Sequence, residues 1–362
     1  MTAPRLEIDL DKIRDNARTL VARLGDRGVS VTGITKASLG SPEIAVAFLQ
    51  AGVAGLGDSR IENIEAMRRA GIDASITLIR SPMLSQVDRV VAHADVSFNT
   101  ELEVIRALSR AAQAAHRTHK IVLMVELGDL REGLMPGELV DTVRATLRLP
   151  SIQVLGIGTN LACRSGVSPD ARNMAELTAL AESVEATFGS TLGVVSGGNS
   201  ANLDWALSDG DTGRVNDLRL GESILLGRET LHRRPLDGLH TDAITLVAEV
   251  IESKVKPSKP WGEIAQTAFG EQPPATDRGE VQQTILAVGR QDIDPAGLQP
   301  PPGIEIVASS SDHLVTQSHA GQVSVGTELG FQLDYSALVR SMSSPFVTKV
   351  IKGRTPATMP SR

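Results

Sequence analysis

At 362 residues the chain exceeds the roughly 250 to 300 residues at which a single hydrophobic core stops growing, so two domains are expected. Its 41% hydrophobic and 22% charged content is that of an ordinary globular protein; no apolar run reaches the roughly 18 residues of a membrane span, and MTAPRLEIDLDKI lacks secretory-signal texture, which predicts a cytoplasmic protein. A net charge of −7 without a lysine or arginine cluster argues against nucleic acid as a partner and mildly favours a cationic substrate, while the single cysteine, Cys163, excludes an internal disulfide and a cysteine-built zinc site.

In chain order, an initial strand, RLEIDL, lies within residues 1–10 and is expected to join the C-terminal domain. Short apolar, β-branched runs then alternate with amphipathic helical patterns. The predicted strands are VTGITK (31–36), AGLGD (54–58), SITLIR (75–80), DVSFN (95–99), KIVLMVEL (120–127), IQVLGIGTN (152–160), GVVSGG (193–198) and DLRLG (217–221). The helix after the first opens SPEIAVAFLQAG, with Ser41 as cap and Pro42 at the first helical position. Eight such pairs without a GxGxxG after the first strand predict a closed α/β barrel, (β/α)8, over residues 11–233. From TDAITLVAEVIESKVKPSKPWGEI onward the texture turns to strands, prolines and glycines, predicting a mainly β C-terminal domain over 234–355 without long helical runs, and a frayed tail over 356–362.

Reactive groups of such barrels sit at the C-terminal strand ends. Lys36 closes the first predicted strand, where barrel walls would desolvate its amine and make it nucleophilic towards an aldehyde; the bland alternative is a lysine reaching solvent. VVSGGNSANL (194–203) offers backbone N–H groups, Asn199 and Ser200 to an anion, with Gly221 and Glu222 adding to the cradle from the next loop, or else forms an ordinary capped glycine turn. Arg219, inside the eighth strand, either points into the barrel mouth or pairs with a strand-end carboxylate such as Asp58 or Glu62. Arg131, after the fifth strand, either clamps a substrate carboxylate or is a solvated loop residue. Asn160 and Cys163 follow the sixth strand; with no activating histidine beside it, Cys163 reads as a small packed residue. The chain has no HExxH, Walker A loop or GxSxG, so metal and serine-hydrolase chemistry lack support.

The stretches VTGITKASLGSPEIA, GLGDSRIENI, LMVELGDLREG, GIGTNLAC, VSGGNS, LRLGESILLGRET, PSKPWGEI, AVGRQDIDP and SSSDHL, in this order, resemble the fold-type III pyridoxal-phosphate enzymes typified by alanine racemase, and among them the alanine/ornithine racemase branch. The resemblance implies pyridoxal 5′-phosphate held as an internal aldimine on Lys36, a phosphate bordered by Asn199, Ser200, Gly221 and Glu222, Arg219 facing the pyridine nitrogen, Asn160 beside the ring, and Arg131 on the substrate carboxylate. Departures are equally plain. The family's tyrosine after the cofactor lysine is missing from KASLG, the ring-stacking histidine appears as Asn160, and the lysine carbamylated in many members corresponds to Met124. The tyrosine that serves as opposite-face base has no counterpart, since the single tyrosine, Tyr335, lies in another motif.

Candidates for a second acid/base are therefore Glu263 and His313, with Asp292 and Asp312 weaker, and Asp312 is also a candidate substrate ligand; Lys36 serving both faces is the alternative. The expectation is a racemase of a free amino acid (ornithine, lysine, alanine or serine), a homodimer whose second domain completes the neighbouring site. The alternatives are a fold-type III decarboxylase or D-amino-acid lyase, or a pyridoxal-phosphate carrier without turnover.

Overall fold

In the computed structural model, residues 2–270, 276–319 and 321–353 are described, and the predicted tail 356–362 lies outside them. The chain divides into two compact units, with a boundary between His240 and Thr241; β1 (Arg5–Asp9) belongs with the C-terminal one.

The first unit, residues 10–240, holds β2 (Ser30–Ile34), β3 (Gly55–Asp58), β4 (Ile76–Leu78), β5 (Val96–Asn99), β6 (His119–Met124), β7 (Ile152–Gly158), β8 (Val194–Gly198) and β9 (Asp217–Leu220). These eight strands close into a parallel barrel, β9 returning onto β2 with Thr32 opposite Arg219. Each predicted barrel strand is present. Several stop early because the chain turns out of the ladder at the mouth: Thr35 adopts helical angles (φ −93°, ψ −1°), so Lys36 opens a single 3-10 turn, Lys36–Ser38, instead of ending the strand.

Alternate strand residues face inward. Val96, Phe98, Val122 and Met124 form an apolar plug with Ile79, Leu155 and Val194 packed against it, a filled interior and not a pore. The helix Pro42–Gln50 is capped by Ser41, whose hydroxyl accepts from the Ile44 N–H at 3.4 Å. Gly156 on β7 allows a close backbone approach in this wall, because a Cβ there would sit 1.8 Å from the Val194 carbonyl oxygen.

The second unit, residues 2–9 with 241–353, is an antiparallel sheet of β10 (Ile244–Pro257), β11 (Glu280–Leu286), β12 (Leu298–Gln299), β13 (Ile304–Ser309), β14 (Leu314–Ser318) and β15 (Glu328–Leu333) in the order β12-β15-β10-β11-β14-β13. The strand β1 pairs with β10 and lies parallel to β16 (Thr348–Lys352). A helix over Tyr335–Ser343 departs from the helix-poor reading of this region; Asp334 starts it by accepting from the Ala337 N–H at 2.9 Å. Among the described residues no helix is long and apolar enough to cross a membrane.

Candidate active site

Parallel closure brings the C-terminal ends of all eight barrel strands to one face, where the strand ends and loops carry the barrel residues singled out from the sequence. Lys36, half-buried, stands on a latched turn. The preceding Thr35 hydroxyl donates to Asp58 Oδ2 at 2.7 Å, and Asp58 Oδ1 accepts from the Arg60 N–H and from Asn63 Nδ2 at 2.9 and 3.0 Å. Burial pushes the Asp58 carboxyl up, against the pull of these donors.

Arg219 is buried inside the barrel and pairs with neither Asp58 nor Glu62. Glu62 instead meets Arg89 at 3.0 Å, and Asp58 is committed to the Lys36 turn. Arg219 Nη1 donates to Ser196 Oγ at 2.6 Å; its Nη2 donates to the Thr159 carbonyl at 2.7 Å and to Asn160 Oδ1 at 3.2 Å. The guanidinium lies over the Phe98 ring at 5.2 Å, on top of the apolar plug. Burial pushes its pKa down to about 10, which still leaves it charged at neutral pH. Asn160 Oδ1 also accepts from Asn199 Nδ2 at 3.1 Å, while Asn160 Nδ2 is buried without a partner among the described residues.

The glycine turn after β8 is both a cap and a polar cradle. Asn199 Oδ1 accepts from the Ala201 N–H at 2.8 Å and starts the 3-10 turn Ser200–Asn202, while its Nδ2 donates to the Leu161 carbonyl at 2.9 Å. Ser200 Oγ lies 3.0 Å from Ser223 Oγ and accepts from the Ser223 N–H at 3.2 Å, joining the loops after β8 and β9. Gly221 and half-buried Glu222 open the short helix Glu222–Leu226. A Cβ at Gly221 would sit 3.0 Å from the Ile34 carbonyl oxygen, so a glycine is what lets this end of β9 approach the strand that delivers Lys36.

Two carboxylates shape the other side of the mouth. Glu126 accepts from the N–H groups of Gly128, Leu130 and Arg131 at 2.6, 2.9 and 3.1 Å. Asp129 reaches the loop after β7, accepting from the N–H groups of Cys163, Arg164 and Ser165 at 3.2, 2.9 and 3.0 Å. Burial would raise the Asp129 carboxyl, but these backbone donors hold it below the usual range. Arg131, exposed, is forked onto Glu132 through Nε and Nη2, the latter at 2.5 Å. Cys163 is exposed at the rim, 3.5 Å from Asn199 Nδ2, and not the packed residue expected: the Asp129 contacts hold its loop outside the core.

Glu263, Asp312 and His313 belong to the second unit. Glu263 is exposed in the segment between β10 and β11. Asp312 and His313 stand together, with His313 Nδ1 2.9 Å from Asp312 Oδ1; burial would raise the Asp312 carboxyl, but the imidazole and the Ser310 hydroxyl keep it below its usual range. Asp292 is committed elsewhere, accepting from Ser344 Oγ at 2.6 Å.

The profile of the alanine racemase N-terminal domain matches residues 8–228. The chain belongs to the alanine racemase family. It is similar to a lysine racemase of Thermotoga maritima, 38% identical over 353 residues and covering 97% of this chain and 99% of the relative. An ornithine racemase of Acetoanaerobium sticklandii is 36% identical over 352 residues, covering 96% and 99%. Among solved structures, an alanine racemase from D-cycloserine producing Streptomyces lavendulae matches with a TM-score of 0.76 at 21% identity, covering 98% of each chain, which speaks to the fold.

The single tyrosine of the chain, Tyr335, sits in the helix Tyr335–Ser343 of the second unit. Thr32, Ser196, Asp217 and Ser223 escaped the sequence reading, although each is buried or partly buried among the groups that hold Arg219 or Ser200. A signal for one of them was available. Asp217 and Arg219 are two apart in DLRL, so both face the same way out of an otherwise apolar strand.

Proposed function

We propose that this chain racemises a free diamino acid of the lysine and ornithine type, using pyridoxal 5′-phosphate held by Lys36. Amino-acid racemisation is the activity of its family, and two relatives matched over their whole length are named for lysine and ornithine. The residues at the mouth fit the cofactor. A half-buried amine, a guanidinium charged at neutral pH, a serine pair and Asn160 Nδ2, unpartnered among the described residues, are donors that suit an aldehyde-bearing, anionic, nitrogen-containing ring. The observation that carries this reading is the buried Arg219 on β9, in register with Thr32 of the neighbouring strand that leads into the Lys36 turn.

When bound, pyridoxal phosphate supplies an electron sink that makes the amino-acid Cα–H acidic. The chain's own residues decide the fate of that proton. Arg219, charged at neutral pH, would face the ring nitrogen without giving up its proton, which would keep that sink weak and favour return of the Cα proton over transamination. Lys36 Nζ takes or gives the proton on one face, Arg131 orients the substrate carboxylate, and Ser200, Asn199, Gly221 and Glu222 border the phosphate. On the opposite face Glu263 or His313, with Asp312 beside it, would supply the second proton from a partner copy in a homodimer.

Holoprotein incubated with single L-amino acids in deuterated water tests this reading by loss of the Cα proton and by chiral separation. Exchange and inversion are expected with lysine or ornithine at more than about tenfold the rate seen with alanine or serine, following the two relatives named for those amino acids. The active species should sediment as a dimer. Exchange with no amino acid, preference for alanine, or full activity as a monomer contradicts the proposal.

A further inference from the structure

The barrel interior holds polar groups for which racemisation, as described so far, has no use. Ser196 Oγ donates to Asp217 Oδ2, Thr32 Oγ1 donates to Asp217 Oδ1 at 2.7 Å, and Arg219 Nη1 donates to Ser196 Oγ at 2.6 Å. Ser196, Arg219 and Asp217 are 0%, 4% and 7% exposed, deep in a wall that also carries the apolar plug. A buried guanidinium without a nearby negative charge is costly, yet the remaining acceptors of Arg219, the Thr159 carbonyl and the Asn160 amide oxygen, are neutral. Among the described residues, its hydrogen bonds reach a carboxylate through Ser196.

That relay has a fixed direction. A serine hydroxyl has one proton, and here it goes to Asp217, so the lone pairs of Ser196 are turned to Arg219. We infer that Asp217, acting through Ser196, is a positioning residue for Arg219: it pins Nη1 and offsets the guanidinium charge, so that the cation keeps one orientation towards the cofactor ring. The inference rests on the reading in which Arg219 faces that ring. Thr32 has a different part, since it satisfies the other carboxylate oxygen and makes no hydrogen bond to Arg219.

The test titrates apoprotein with pyridoxal phosphate and reads the dissociation constant and the absorption maximum, with no substrate present. Ser196→Ala and Asp217→Asn should each weaken binding about tenfold, the loss typical of a hydrogen bond to a charged group, and move the band in the same direction. Thr32→Val should stay within about twofold, because Thr32 holds only the other carboxylate oxygen and its loss leaves the Ser196 bonds to Asp217 and Arg219 in place. In an Arg219→Gln background Asp217→Asn should have no further effect. Thr32→Val as damaging as Ser196→Ala, or Asp217→Asn equally costly without Arg219, would reduce Asp217 to a tie between strands and overturn the inference. Should Asp217→Asn not fold, the Ser196→Ala and Thr32→Val pair decides alone. If the unaltered chain binds no pyridoxal phosphate, the functional reading fails, and the same cycle read in urea midpoints of the apoprotein still tests the coupling.

Discussion

At the scale of single residues, the barrel keeps one charge buried at its centre and neutralises another at its wall. Arg219 remains a cation despite burial because its pKa falls only to about 10. His119 goes the other way. It sits 2% exposed at the start of β6, with Nε2 2.8 Å from Ser97 Oγ, and burial, aided by Arg117, pushes its pKa down from 6.5 to about 4. Between those two values the unfolded chain takes up a proton that the folded chain refuses. Stability should therefore be unaffected above pH 6.5 and fall as the pH drops from 6.5 to 4, by about 3 kcal/mol at most. In His119→Gln, which can still hydrogen-bond to Ser97, urea midpoints measured over that window should lose this acid dependence; an unchanged profile would assign it to other groups.

At the scale of elements, the βα repeats were legible because alternation of β-branched runs with amphipathic helices is a periodic signal, and each of the eight strands lies where that signal put it. Strand ends were not legible. VTGITK reads as one strand, but at Thr35, whose N–H still bonds to the Gly57 carbonyl and whose hydroxyl is tied to Asp58, the backbone turns helical and Lys36 opens a 3-10 turn, a tertiary arrangement absent from any local pattern. The helix Tyr335–Ser343 was missed for the opposite reason, since it is short and set among strands, although Asp334 followed by YSALVRSMS carries a cap. Arg219 was recognised as needing partners, yet the ones found are neutral oxygens and a serine relay, which spacing alone does not distinguish from an ion pair. A backbone requirement belongs here too. Gly156→Ala would set a Cβ 1.8 Å from the Val194 carbonyl, so β7 and β8 must separate. A loss of several kcal/mol, about 2 to 4, or failure to accumulate as folded protein is expected from thermal melts, and a near-native melting temperature would mean that the wall opens freely there.

At the scale of the whole molecule, the candidate residues are spread over two compact units. The barrel carries the lysine, the arginines, the serine pair and the asparagines, and the second unit carries Glu263, Asp312 and His313. The chain has a single tyrosine, Tyr335, and in the proposed reading the proton on the second face would come from Glu263 or His313, or from Lys36 alone. All of these readings share one requirement, an imine between Lys36 and the cofactor aldehyde. Borohydride reduction of the holoprotein, followed by digestion and mass mapping, tests it directly. The account predicts a single pyridoxyl group on the peptide containing Lys36, lost in Lys36→Ala; a tag on another side chain, or no tag at all, would contradict it.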